Sequence, residues 1–269
     1  MLVKRIGSLD IQGLEPYRTM RRTMEHRKQG IFVAEGEKVV RRLVESKLDV
    51  VSILLTDEWL TNYSGLLEDR EIQEGIFVGN KELLETIVGY GLHQGIMAIG
   101  RVPPEVDLFQ AAADSVRPSL FVALDGIANS ENMGVIVRNC AAFGVNVVVV
   151  GETSCDPYLR RSVRNSMGTV FSLPICRVDN LSENLQRLRV EFSFKIVGAD
   201  PKVESLPLGQ VVLDGDVCLI FGSEGEGISA GVLDRCSLTV KIPMKDEVDS
   251  INVSSSVAVL LHEASRQRQ

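Results

Sequence analysis

The sequence predicts two consecutive α/β domains, the second built on a parallel sheet. Two observations carry this. Short, nearly all-apolar runs, such as VVVV at 147–150 and VCLIF at 217–221, recur between segments with apolar residues at helical spacing. That is the pattern of strands buried on both faces and connected by helices. A proline-flanked stretch, RVPPEVDLFQAAADSVRP at 101–118, interrupts the alternation and has no strand character. Residues 1–100 and 119–269 are therefore expected to be separate α/β domains joined by a linker at 101–118.

Taken in order, QGLEPYRTMRRTMEHRK (12–28) has the composition of one helix and GIFVAEG that of a strand. EKVVRRLVESK follows with a helical apolar stripe, then a VVSILLT strand, a helix from about Asp57, a GIFVG strand, a KELLETIV helix and a GIMAIG strand. Beyond the linker, SLFVALD, NVVVV, FKIVGA, VCLIF and LTVKI read as strands with helical patterns between them. A last helix is expected from about Asn252 to Gln267.

An apolar fraction of 45% and a charged fraction of 24% are ordinary for a globular chain of 269 residues. No apolar run approaches the roughly 20 residues needed to cross a bilayer. MLVKRIGSLDIQ lacks the apolar core of a signal peptide, which points to the cytoplasm. The five cysteines (Cys140, Cys155, Cys176, Cys218 and Cys236) are odd in number and never CxxC. They read as small buried apolar residues, with neither a zinc site nor a disulfide framework.

Net charge is −7, yet residues 1–48 carry +5 against −8 for 49–117 and −4 for 118–269. Positive charge gathers at Arg18, Arg21, Arg22, Arg27 and Lys28, with a second knot at Arg160, Arg161 and Arg164. Such clusters serve either as solvated helix faces or as contacts to a polyanion.

Three loops of the second domain follow apolar strands and are rich in small and polar residues: Asp125–Gly134 (DGIANSENMG), Gly222–Ser229 (GSEGEGIS) and Ile242–Asn252 (IPMKDEVDSIN). Ligands of open α/β sheets bind where strand C-termini meet such loops, so three together suggest one composite site. Asn132 is placed to cap a helix, as are Ser250 and Asn252. Arg138 interrupts the otherwise buried-looking VIVRNCAAF, so its charge either extends into water or meets an anion. Gly222 and Gly227 have the spacing of a P-loop, but no Lys-Ser/Thr follows, and Glu224 and Glu226 would repel a triphosphate. A nucleophile elbow is missing, and His262, among Val257, Leu261 and Ala264, reads as a packed helix residue. A loop with open backbone N–H groups and carboxylates suits a neutral or cationic ligand with a flat base. S-adenosylmethionine is compatible, carrying a nucleoside and a sulfonium but no phosphate.

The three segments resemble the signature motifs of the SpoU (TrmH-like) RNA 2′-O-ribose methyltransferases of the SPOUT class. Asn132-Met-Gly-Val-Ile-Val-Arg138 resembles N-x-G-x-x-x-R. Phe221-Gly-Ser-Glu224-Gly-Glu-Gly227 resembles G-S-E-x-x-G, and Ile242-Pro-Met followed by Ser250-Ile-Asn252-Val-Ser resembles I-P-M…S-L-N-V-S, with Ile251 for the usual Leu. Arg164-Asn-Ser166-Met-Gly168 matches an R-x-S-x-G stretch between the first two. The first domain resembles, more weakly, the family's L30e-like substrate-binding domain through Phe32-Val-Ala-Glu35-Gly36 and His93-Gln94-Gly95-Ile96.

The resemblance implies a parallel-sheet SPOUT domain tied in a deep trefoil knot, a smaller L30e-like domain, and a homodimer whose active site draws on both subunits. It implies S-adenosylmethionine as cofactor, no metal, and 2′-O-methylation of ribose in structured RNA, ribosomal RNA favoured over transfer RNA. A non-catalytic RNA-binding or ribosome-assembly protein on the same scaffold is the alternative. Arg138 would bind a substrate phosphate and stabilise the developing 2′-alkoxide. Asn132 and Glu224 would orient Arg138 and the ribose, with Ser250 and Asn252 completing the polar shell. The cofactor would contact Phe221, Gly222, Ser223, Gly225, Gly227, Ile242, Met244, Ser250, Ile251, Asn252 and Val253. Arg21, Arg22, Arg27, Arg160, Arg161 and Arg164 are the candidates for RNA contact.

Overall fold

Nearly every apolar run becomes a strand. The computed structural model describes residues 2–88, 95–202, 204–245 and 250–269; His93 and Gln94 of the weaker N-terminal resemblance lie outside the described residues. The chain begins β1 (Val3–Arg5), α1 (Glu15–Arg18), α2 (Thr23–Gln29), β2 (Ile31–Glu35), α3 (Glu37–Glu45) and β3 (Val50–Leu55). It continues through α4 (Asp57–Asn62), α5 (Ser64–Leu67), β4 (Ile72–Val78), α6 (Lys81–Val88) and β5 (Ile96–Arg101). Then follow α7 (Leu108–Asp114), β6 (Leu120–Leu124), α8 (Ser130–Ala142), β7 (Val147–Val150), α9 (Arg160–Asn165), β8 (Ile175–Arg177), α10 (Leu181–Glu191) and β9 (Lys195–Ala199). The last elements are β10 (Leu206–Pro207), β11 (Val217–Phe221), α11 (Ala230–Leu233), β12 (Leu238–Lys241) and α12 (Val253–Gln267).

Two compact units result, Met1–Pro103 with Pro157–Phe171, and Pro104–Asp156 with Ser172–Gln269. The first holds a sheet of order β1-β4-β3-β5-β2. It is mixed: β4 runs parallel to β1 and β3, whereas β5 runs antiparallel to β3 and β2. The predicted single helix at 12–28 is two helices. Arg22 donates its N–H to the Thr19 carbonyl in a tight turn, and the Thr19 hydroxyl donates back to the Glu15 carbonyl, ending α1 there.

Pro157–Phe171 is held on this first sheet. Arg160 and Glu35 pair at 2.8 Å, their side chains only 17% and 12% exposed. The Phe32 ring meets Tyr158 and Phe171 at centroid distances of 5.4 and 5.1 Å. Phe32 fits because residue 100 is glycine: a Cβ there would stand 2.4 Å from the Phe32 ring. Arg42 donates to the Met167 carbonyl at 2.7 Å.

His26 is buried in the same unit, and burial lowers its pKa. A lowered folded-state value favours the neutral ring, so the stability it contributes is present above the unfolded-state value of about 6.5 and lost progressively as pH falls below it through the lowered folded-state value. Melting of the first unit is therefore expected to drop between pH 7.5 and 5.5, and His26→Gln to flatten that slope in a pH series of thermal scans.

The second unit contains a seven-stranded sheet of order β10-β12-β9-β11-β6-β7-β8, parallel at every pairing. Residues on both faces of its central strands are buried, which is why those strands read as unbroken apolar runs rather than alternating ones. One face carries Phe121, Ala123, Cys218 and Ile220 against Leu181, Leu185, Leu188 and Val232. The stretch 101–118, read as a linker, contributes α7 to this core: Leu108 and Ala112 are buried there. Asp107 caps the helix, accepting from the N–H groups of Phe109 and Gln110 at 3.0 and 2.7 Å. All five cysteines are free; burial is the first cause raising each thiol, to about 11 at Cys155 and Cys236 and about 12 at Cys176. None is poised as a nucleophile.

Candidate functional site

β6, β11, β9 and β12 are neighbours in the sheet, and their C-terminal ends deliver the loops of interest to one edge. The loop after β11 closes on itself. Ser223 and Gly227 exchange reciprocal backbone hydrogen bonds of 3.0 Å, and Glu226 donates its N–H to the Ser223 hydroxyl at 3.0 Å. Gly222 is required by this closure: a Cβ there would lie 2.1–2.2 Å from the backbone of Gly227 and Ile228. Gly227 adopts φ +74°, a left-handed conformation that glycine tolerates best. At Gly225 a Cβ would meet nothing within 4 Å, so its surface is open. Two of the three glycines therefore serve the loop's own fold. Asp125, just beyond β6, braces it: its N–H donates to the Phe221 carbonyl at 2.9 Å and its carboxylate accepts from Ser229 N–H at 2.7 Å.

Asn252 joins the three loops. Its Oδ1 accepts from Ser254 N–H at 2.9 Å, capping α12, and this fixes the amide so that Nδ2 points away from the helix. Nδ2 donates to Asn132 Oδ1 at 3.1 Å and to Glu224 Oε1 at 2.5 Å. Asn132 is not a cap: α8 starts earlier, capped by Asn129, which accepts from Glu131 and Asn132 N–H at 2.7 and 3.4 Å. With its backbone served by Asn129, the Asn132 side chain is available to the cluster.

Asn252→Ala is expected to destabilise by about 1 kcal/mol through the lost cap and to unlink Asn132 from Glu224. Asn252→Asp keeps the cap acceptor but sets a second carboxylate against Glu224. It should melt close to the parent while losing activity; equal melting losses in both variants would contradict this division of roles.

A cavity of about 560 Å³ opens beside the cluster, within the roughly 300–1,000 Å³ typical of small-molecule sites. Every residue expected to contact a cofactor lines it: Phe221, Gly222, Ser223, Gly225, Gly227, Ile242, Met244, Ser250, Ile251, Asn252 and Val253, with Glu224. Sequence reading missed Ala199, Asp200, Pro201 and Lys202, the loop after β9, together with Lys241, Ser256 and Leu260. The strand-end rule applied to FKIVGA would have found that loop.

Arg138 stands apart. It lies six residues beyond Asn132 on α8, about 120° around the helix; it is exposed, does not line the cavity, and has no hydrogen bond or ion pair among the described residues. Within one chain Asn132 and Glu224 orient each other through Asn252, not Arg138. Ser250 and Glu226 are exposed at the rim, and His262 is exposed rather than packed inside, with its ring edge-on to Phe143 at 6.2 Å. Of the basic residues singled out, Arg21, Arg22, Arg27, Arg161 and Arg164 are exposed; Arg160 is less so and pairs with Glu35 at 2.8 Å, Arg164 meets the same carboxylate at 3.9 Å, and Arg22 pairs with Glu25 at 3.2 Å. Among the described residues no group of His, Cys, Asp or Glu is arranged to hold a metal ion, and no helix is long and apolar enough to cross a membrane.

The site is thus a parallel α/β sheet with a cavity at its strand ends, lined by amides, carboxylates and the two lysines Lys202 and Lys241, and its Gly222–Gly227 turn has no P-loop Lys-Ser/Thr after it. Residues 119–262 match the model of the SpoU rRNA Methylase family, and the chain belongs to that family. It is 30% identical over 243 residues to an uncharacterized tRNA/rRNA methyltransferase of Mycobacterium tuberculosis, covering 88% of this chain and 82% of that protein. In structure it is similar to an RNA 2′-O ribose methyltransferase (TM-score 0.79, 26% identity, 98% of this chain and 99% of that one). An AdoMet-bound rRNA methyltransferase from Sinorhizobium meliloti shares the fold at TM-score 0.83 and 21% identity, over 98% of both chains.

Proposed function

We propose that the protein transfers the methyl group of S-adenosylmethionine to a ribose 2′-hydroxyl in structured RNA, ribosomal RNA in preference to transfer RNA. The observation that carries this is the Asn132–Asn252–Glu224 cluster at the rim of the 560 Å³ cavity. The donor set fits the cofactor: an open surface at Gly225, backbone and apolar walls for a flat base, carboxylates of Asp200 and Glu224 tolerant of a cation, and no Lys-Ser/Thr pair following the Gly222–Gly227 turn. Phe221–Gly227, Ile242, Met244 and Ser250–Val253 would hold it. Bound there, it supplies an electrophilic methyl group on a sulfonium.

The 2′-hydroxyl is a weak nucleophile and must pass its proton to the neighbouring substrate phosphate, and through it to water, as it attacks the methyl carbon and the methyl–sulfur bond breaks. Glu224 and Asn132, held by Asn252, orient the ribose with Ser250 at the rim. Arg138, a permanent cation, binds the neighbouring phosphate and stabilises the developing alkoxide. Because Arg138 stands outside its own chain's cavity, it serves the cavity of a second copy, making the working enzyme a homodimer. A trefoil knot in the parallel-sheet domain belongs to the same reading, as do a cytoplasmic location and metal-free chemistry.

The preference for ribosomal RNA rests on the family description and the L30e-like resemblance of residues 1–100. Proteins read RNA through shape, backbone and 2′-hydroxyl contacts, and Arg21, Arg22, Arg27, Arg161 and Arg164 offer them here. Arg160 instead fixes the segment that carries the last two.

The rival reading is a non-catalytic RNA-binding or ribosome-assembly protein on the same scaffold. Incubating the purified protein with tritiated-methyl S-adenosylmethionine and separated ribosomal and transfer RNA from cells lacking the gene decides between them. Incorporation into ribosomal RNA is expected, and RNA binding without incorporation would establish the rival.

A further inference from the structure

Asp200 is the first residue beyond β9 and belongs to none of the three loops. It is 9% exposed, and it lines the cavity. Its backbone N–H donates to the Val240 carbonyl at 3.0 Å, tying the loop to β12. Oδ1 accepts the Lys202 N–H at 3.1 Å, which fixes the side chain. Oδ2 has the Lys202 ammonium at 3.5 Å, on a side chain that is 72% exposed and so free to leave. A carboxylate this buried needs donors, and among the described residues Oδ2 is supplied with that mobile one alone.

We propose that Asp200 recognises the ribose of the cofactor, its carboxylate accepting from the 2′- and 3′-hydroxyls of the nucleoside. This rests on S-adenosylmethionine being the ligand of the cavity. Strand order gives the direction. The Asn132–Asn252–Glu224 cluster stands over the ends of β6 and β11, whereas Asp200 is one strand further, at the end of β9, with Ile242 following β12 beyond it. The reactive methyl group must face the cluster, so the nucleoside half extends toward β9 and β12. Of the groups on that half, the adenine edge alternates donor and acceptor and suits backbone N–H and C=O groups. An ionised carboxylate only accepts, and the cis-diol is the one feature with two adjacent O–H donors.

Calorimetry with S-adenosylhomocysteine and its 2′-deoxy and 3′-deoxy analogues tests this without turnover and without the sulfonium charge. The parent protein should bind the ribo form about 10–100-fold more tightly than either analogue, the value of a hydrogen bond to a charged group. Asp200→Ala should bind all three with similar, weakened affinity. Asp200→Asn, which keeps the acceptor for Lys202 N–H and so the loop, should retain the melting temperature with reduced discrimination. Equal binding of ribo and deoxy forms by the parent, or full discrimination retained in either variant, overturns the assignment while leaving the methyltransferase reading intact. Failure of the parent to bind S-adenosylhomocysteine at all overturns the cofactor reading, and this one with it.

Discussion

Arg138→Ala is expected to lower methyl transfer by at least about 10³-fold, the scale of losing a principal electrostatic stabiliser of developing negative charge, with cofactor affinity within about twofold of the parent. The separation follows from geometry. Arg138 is exposed on α8 and does not line the cavity, so its removal disturbs no wall of the binding site. Single-turnover rates and calorimetric titration with S-adenosylhomocysteine read the two effects independently. Arg138→Lys should recover little, because an ammonium cannot reproduce the planar, forked contact of a guanidinium with a phosphate. Mixing Arg138→Ala with a Gly222→Ala chain, each defective at a different part, should restore a fraction of activity if the arginine of one copy serves the cavity of another. Wild-type turnover by Arg138→Ala would remove the residue from the mechanism.

Gly222→Ala should be as damaging by a different route. The new methyl would stand 2.1–2.2 Å from main-chain atoms of Gly227 and Ile228, which belong to a loop already closed by its own hydrogen bonds and cannot step aside as a flexible side chain would. A loss of about 1–3 kcal/mol in stability is expected, with cofactor affinity reduced at least about 100-fold because one wall of the cavity is displaced. Gly225→Ala is the informative contrast. A methyl there meets no protein atom, so the fold should be unaffected; any fall in cofactor affinity then reports the ligand itself lying against Gly225. Equal melting temperatures for Gly222→Ala and the parent would show that the loop can open another way.

The strands of the parallel sheet are legible because burial on both faces leaves a nearly all-apolar run. β1, β8 and β10, of three, three and two residues, are too short to leave a period. The antiparallel course of β5 is set by its pairing partners, and nothing in GIMAIG reports it. The three loops of the site are legible because glycine, asparagine and carboxylates cluster after apolar strands. Their internal division of labour is less so: two asparagines three apart, Asn129 and Asn132, both suit a cap, and hydrogen bonds decide that the first takes the backbone while the second turns to Asn252. Arg160 and Arg164 read in the sequence like Arg161, but Glu35, 125 positions from Arg160, pairs with both, closely with Arg160 and at 3.9 Å with Arg164. Asp200 escaped notice because its loop contains no glycine and no motif, only a place at the end of a strand.

The central claim is that the cavity and the Asn132–Asn252–Glu224 cluster direct methyl transfer to a ribose hydroxyl. Alkaline hydrolysis of RNA labelled from tritiated-methyl S-adenosylmethionine tests it on chemical grounds alone. A 2′-O-methyl group blocks attack on the adjacent phosphodiester, so the label is expected to be recovered in alkali-resistant dinucleotides; label released as mononucleotides would mean that a base is methylated instead, and would contradict the assignment.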